Sequence, residues 1–113
     1  MTLQKTSRRV IKISATASRD LKGIWEYVSE HNEVAATKLL KEINNKFTRL
    51  RDNPFIGREQ DKYLVGLRSF VVRRYFIFYL PIENGIEVLR VLHSSRDIEK
   101  IFQTFFDSLP DAD

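Results

Sequence analysis

The chain has 113 residues, 42% hydrophobic and 30% charged, with a formal net charge of +4. That length suits one domain around one core, and the balance is that of a globule, not of a disordered tail. With no cysteine present, disulfide scaffolds, thiol nucleophiles and thiolate metal sites are excluded, while a reducing compartment is allowed.

Met1 to Arg9 is polar and basic without an apolar run, so it does not read as a signal peptide. No stretch approaches the roughly 20 apolar residues needed to span a bilayer, so the expected location is the cytoplasm, with no membrane partner. Charge is uneven: Val34 to Ile82 holds ten Lys or Arg against four acids, whereas Asp97 to Asp113 holds five acids against Lys100. A basic middle fits an acidic partner, either nucleic acid or an acidic protein segment. A solvated face of mixed charge is the plainer explanation, and an acidic tail folded back on the basic surface is a third.

Val10 to Ile13 alternates around Lys12 and reads as a short strand. Ser14 is a suitable N-cap for a helix whose apolar stripe runs through Ala17, Leu21, Ile24 and Val28, widened by Trp25, and which ends near His31-Asn32. A second helix starts about Glu33, an acid at the positive end of the helix dipole, and buries Ala36, Leu39, Leu40, Ile43, Phe47 and Leu50. The short link predicts an antiparallel helical hairpin. Asn53-Pro54 stops it, and Pro54 to Leu67 is the longest irregular stretch, the kind of loop that often carries function.

Ser69 to Arg73 and Tyr75 to Leu80 are predicted strands joined by a tight turn near Arg73-Arg74. Asn84-Gly85 tolerates the positive φ of a hairpin turn and leads into a strand over Ile86 to Leu92. Asp97 to Leu109 returns to helical spacing, with Ile98, Ile101, Phe102, Phe105 and Phe106 apolar, before Pro110 and an acidic end. The order is β-α-α-β-β-β with a C-terminal helix, an α+β chain read as a single domain over 1–113. Its core spans about 10–102, and helix and acidic tail occupy 97–113.

The two histidines, His31 and His93, lie far apart and without ligand spacing, and there is no phosphate-cradling glycine loop or nucleophile elbow. No metal and no cofactor is expected. Instead, Arg68, Arg73, Arg74, Arg90 and Arg96 accompany Tyr75, Tyr79 and His93 in or beside the sheet. On simple alternation Arg90 shares a face with Ile86, Val88 and Leu92, so its guanidinium needs an acceptor: a carboxylate, carbonyls or a bound phosphate. An internal ion pair or backbone anchor is the commoner fate of such an arginine. His93, at the strand end, faces the opposite way and reads more readily as a hydrogen-bonded core residue than as a catalyst. Tyr75 and Tyr79 share a face, where their hydroxyls either meet a ligand or cap a core layer. Asp97 suits an N-cap, with Arg96 just ahead of it. Phe102, Phe105 and Phe106 read as core covering one side of the sheet, with a detachable, partner-binding helix as the functional alternative.

Taken in order, these segments resemble a known family. Ser14 to Val28, with Asp20-Leu21, Ile24-Trp25 and Tyr27, is similar to the first helix of RelE/ParE toxins. Asn53-Pro54-Phe55-Ile56-Gly57-Arg58 resembles the loop closing their helical hairpin. Gly66 to Phe70 and Tyr75 to Tyr79 resemble their central strands, and Arg90 to Ile98 the closing strand and turn. The ParE branch fits best. The resemblance implies a helical hairpin packed on a small, mainly antiparallel sheet, and a toxin of a bacterial type II toxin–antitoxin system. A cognate antitoxin is then expected to fold an acidic segment over the basic middle.

ParE-type toxins are associated with poisoning DNA gyrase, whereas RelE-type relatives cleave messenger RNA on the ribosome. RNA cleavage needs a base, a cationic stabiliser and an acid. Glu59 or His93 would be the base, Arg68 and Arg96 the stabilisers, Tyr75 or Tyr79 the acid. The acidic, apolar chain end argues against an RNA site there, so gyrase inhibition is the preferred expectation. On that reading Arg68, Arg90, Arg96, Tyr75, Tyr79 and Phe102 would face the target or the antitoxin. A non-toxic binding or adaptor module is the remaining alternative.

Overall fold

The computed structural model describes residues 8–108. The basic start read as no signal peptide lies largely outside them, as do the expected helix end at Leu109 and the acidic tail after Pro110. The elements are β1 (Val10–Ile13), α1 (Ala15–Ser29), α2 (Glu33–Asp52), β2 (Arg58–Glu59), β3 (Arg68–Val72), β4 (Tyr75–Ile82), β5 (Gly85–His93) and α3 (Ile98–Asp107). The predicted order is present. One short strand, β2, is added within the stretch expected to be irregular, because Arg58 and Glu59 find Ser69 and Arg68 to pair with.

Each helix starts where a side chain satisfies an orphan amide. Ser14 Oγ accepts from Ala17 N–H at 3.0 Å and donates to the Leu89 carbonyl at 3.0 Å, so one hydroxyl both starts α1 and ties it to β5. Asn32 caps α2 through Ala35 N–H at 3.0 Å, and Asp97 caps α3 through Lys100 N–H at 3.1 Å.

The sheet has five strands in the order β1-β5-β4-β3-β2. Only β1, which lies parallel to β5, breaks the antiparallel pattern. Gly85 makes that junction possible: with φ +152° it adopts a conformation closed to other residues, and a Cβ there would collide with the Val10 carbonyl oxygen.

A bulge sits in the middle of the longest pairing. Phe78 stands opposite Arg90 but Tyr79 opposite Val88, which leaves Leu89 as the extra residue. Facing inverts at that point. Ile86, Val88 and Val91 pack with Tyr79 and Ile77 under α1 and α2, joined by Ile43, Phe47 and Leu50 of the hairpin. Leu92, Phe78 and Leu67 pack on the reverse face against Phe102 of α3. The expectation that Arg90 lies with Ile86, Val88 and Leu92 is therefore corrected. A period of two holds only while no residue is inserted, and Arg90 belongs with Leu92 alone.

The reverse face is thinly covered. Phe102 is buried, stacked on Tyr63 at 5.2 Å and edge-on to Phe78 at 5.1 Å. Phe105 and Phe106 remain 42% and 41% exposed. The reading of all three as core holds for Phe102 only, since the helix meets the sheet through its first turns and the last turn overhangs.

Candidate functional site

The nominated side chains fall into three environments. The first is the loop after α2. Arg68, at the start of β3, donates through Nη1 to the carbonyls of Phe55 at 2.9 Å and Gly57 at 2.7 Å, and through Nη2 to Glu59 at a long 3.4 Å. Its guanidinium lies 5.2 Å from the centre of the Phe55 ring. Beside it Tyr79, fully buried, donates its hydroxyl to the Pro54 carbonyl at 2.7 Å and accepts from Gly57 N–H at 3.0 Å. Gly57 has to be glycine because the Tyr79 ring occupies the place of a Cβ. Burial raises the Tyr79 hydroxyl above its ordinary pKa, against the opposing pull of Gly57 N–H and of Arg68. Arg68, Tyr79 and Glu59 thus hold the loop in shape. A folded arginine serving carbonyls is one of the outcomes anticipated for these residues, here at a position other than the one singled out.

The second environment is Arg90. Its Nε and Nη2 reach the two oxygens of Asp20 on α1 at 2.8 and 3.0 Å, and Asp20 also accepts from Val91 N–H at 2.9 Å. β1 pairs with β5 only as far as Val88, so beyond it a carboxylate from α1 replaces the missing strand. The Asp20 side chain is 12% exposed and that of Arg90 23%. The acceptor that Arg90 requires is this carboxylate.

The third lies at the other end of β4 and β5. Tyr75 and His93 are paired across the strands, with ring centres 5.1 Å apart and perpendicular. His93 Nδ1 accepts from Ser95 N–H at 3.0 Å. Together with Arg96 these residues line a cavity whose opposite wall is the α1 face bearing Arg19, Gly23 and Tyr27. Burial raises the Tyr75 hydroxyl, and nearby Tyr27 adds to it. Arg19 was not singled out from sequence, and Tyr27 appeared only within the family resemblance, although their spacing around Gly23 by four residues marks one helix face. Asp20 appeared only within the family resemblance.

The residues nominated for RNA cleavage therefore form two sets, each with one candidate base, one stabiliser and one acid. Glu59, Arg68 and Tyr79 gather at the loop end; Tyr75, His93 and Arg96 gather at the other. Tyr75 and Tyr79 are four residues apart on one strand, roughly 13 Å at the usual rise. Among the described residues, no group of three His, Asp or Glu is placed to hold a metal ion, and no helix is long and apolar enough to cross a membrane.

A helical hairpin on one face of a mostly antiparallel sheet, with a short helix on the other, is the architecture of small RelE/ParE toxins. The chain superimposes on a solved structure described as the chromosomal ParDE TA system from P. aeruginosa with a TM-score of 0.62 and 22% identity, over 74% of this chain and 92% of that one. It also matches the YoeB dimer from Staphylococcus aureus, with a TM-score of 0.55 and 20% identity, over 77% and 98%. Residues 11–98 match the family of ParE toxins of the type II toxin–antitoxin system parDE. Toxin ParE1 of Mycobacterium tuberculosis is 31% identical over 90 residues, 78% of this chain and 92% of that protein. Toxin ParE3 of Caulobacter vibrioides is 33% identical over 85 residues, 74% and 84% respectively. The protein belongs to the ParE toxin family.

Proposed function

We propose that this ParE-family toxin acts in the cytoplasm by inhibiting DNA gyrase and is neutralised by a cognate antitoxin with an acidic segment. Of the two sets nominated for RNA cleavage, the one at the loop end is committed within the chain, Arg68 and Tyr79 to backbone carbonyls and Glu59 to Arg68, which leaves Tyr75, His93 and Arg96 as the set that the ribosomal alternative would use. Cleavage needs base, acid and charge stabiliser around one phosphate. The preference for gyrase as target rests on membership of the ParE family.

The antitoxin reading rests on charge and on relatives. Among the described residues Arg58, Arg74 and Arg96 have no carboxylate partner, which suits an acidic segment that folds as it binds. The decisive experiment runs a gyrase supercoiling assay beside a translation assay with purified toxin. Supercoiling should fail, or cleaved DNA accumulate, while ribosome-bound message stays intact. Message cut in the ribosome with supercoiling untouched would overturn the reading. Expression alone should arrest growth, and co-expression of an adjacent antitoxin should restore it.

A further inference from the structure

Between the α1 face and the ends of β4 and β5 lies a cavity of about 470 Å³, within the size range of small-molecule sites. Five of the residues that line it carry hydrogen-bond donors: Arg19, Arg96, Tyr27, Tyr75 and His93. Because His93 Nδ1 already accepts from Ser95 N–H, the neutral ring carries its proton on Nε2 and is a donor as well.

Acceptors are scarce. Asp20 is the only carboxylate lining the cavity, and its oxygens are taken by Arg90 and by Val91 N–H. Neither Arg19 nor Arg96 has a carboxylate partner among the described residues. Arg19 makes only a 3.4 Å contact with Thr16 Oγ1. Two arginines without a carboxylate partner, bordering a space lined by donor-bearing residues, suit an anion with many oxygens, and phosphate satisfies more such donors than a carboxylate does. Ile24 and Val91 add apolar surface, and the tyrosine rings offer flat faces to a planar group.

We propose that this cavity binds a small phosphorylated ligand of mononucleotide size, its phosphate held between Arg19 and Arg96 and its ring laid against Tyr27 and Tyr75. The site shares Arg96 with the antitoxin reading above, which the peptide arm of the test separates from it, and uses none of the residues that shape the loop after α2.

The test is calorimetric titration of the full chain with inorganic phosphate, AMP, adenosine and a glutamate-rich peptide. Phosphate and AMP should bind saturably, AMP more tightly than phosphate, and adenosine more weakly than AMP. Arg19→Ala and Arg96→Ala should each weaken AMP about ten- to a hundred-fold, as expected for loss of a charge-assisted contact, with unchanged melting. Lys38→Ala on α2 should leave AMP binding alone. In the unaltered chain AMP should also shift the His93 ring resonances, a readout that needs no variant. Absence of saturable phosphate and AMP binding would overturn the proposal, as would equal AMP affinity in Arg96→Ala and Lys38→Ala. So would AMP binding that leaves His93 undisturbed. Preference for the glutamate-rich peptide over AMP would reassign the cavity to an acidic protein segment.

Discussion

Arg68 and Arg90 on one side, and Arg19 and Arg96 on the other, carry the same planar fork into opposite circumstances. The first two are 18% and 23% exposed in their side chains and are tied to carbonyls or to Asp20. The second two are exposed and have no carboxylate among the described residues. Arg68 serves the backbone directly, and Arg90 fixes the carboxylate that stands in for a neighbouring strand at Val91. The open pair belongs to the charge left for a partner. An inventory of arginines near a sheet thus mixes two populations, and what separates them is whether an acceptor lies within the chain.

The sharpest way to test that division is Asp20→Ala. It leaves a largely buried guanidinium unpaired and the Val91 amide orphaned, so a loss of about 3 kcal/mol is expected in urea unfolding. Adding Arg90→Met should recover much of it, because an apolar replacement removes the stranded charge. If Asp20→Ala cost no more than Glu42→Ala, which breaks the exposed 2.7 Å pair with Arg73, the two populations would be energetically the same.

Next in size is Tyr79→Phe. The ring stays, but the Pro54 carbonyl and the Gly57 amide lose their partner, a cost of about 2 kcal/mol. The same hydroxyl predicts a weaker effect of pH. Its pKa is raised in the folded chain above the ordinary 10.0, chiefly by burial, and Tyr75 is raised likewise. The folded state then holds protons that the unfolded chain gives up, so stability is intact below the ordinary tyrosine value and falls as pH climbs through it. Unfolding curves taken across that alkaline range should show a shallower decline in Tyr79→Phe than in the unaltered chain. Equal slopes would remove Tyr79 from the account.

How much of this was legible beforehand follows from the range of each interaction. The caps Ser14 and Asp97, the stop at Asn53-Pro54 and the turn at Arg73-Arg74 were readable, because their causes lie within a few residues. The shared face of Tyr75 and Tyr79 was readable as well, since the inserted residue at the register shift lies on β5 and not on β4. The bulge at Leu89 was not, for nothing in Val88-Leu89-Arg90 marks an insertion, and it moved Arg90 to the other face. That Arg90 needed an acceptor was anticipated, although two of the three apolar neighbours assigned to it lie on the other face. That the acceptor is Asp20, 70 residues away, required the fold. Family likeness indicated the architecture, while the separation of Arg68 from Arg96 emerged only once β3 and β5 were placed.

The smallest effect on stability belongs to Arg96→Ala, and it discriminates best. An exposed side chain without a carboxylate partner should shift unfolding by less than about 0.5 kcal/mol. If the open arginines form the working surface, that silent change should nonetheless weaken growth arrest more than Lys38→Ala does. Arg68→Ala should also weaken it, but in step with a measurable loss of stability, because its guanidinium holds the Phe55 and Gly57 carbonyls. Comparing arrest with melting temperature across the three variants separates the roles. Arg96→Ala falling on the same line as Arg68→Ala would mean that toxicity follows folding alone, and that the open arginines have no surface of their own to offer.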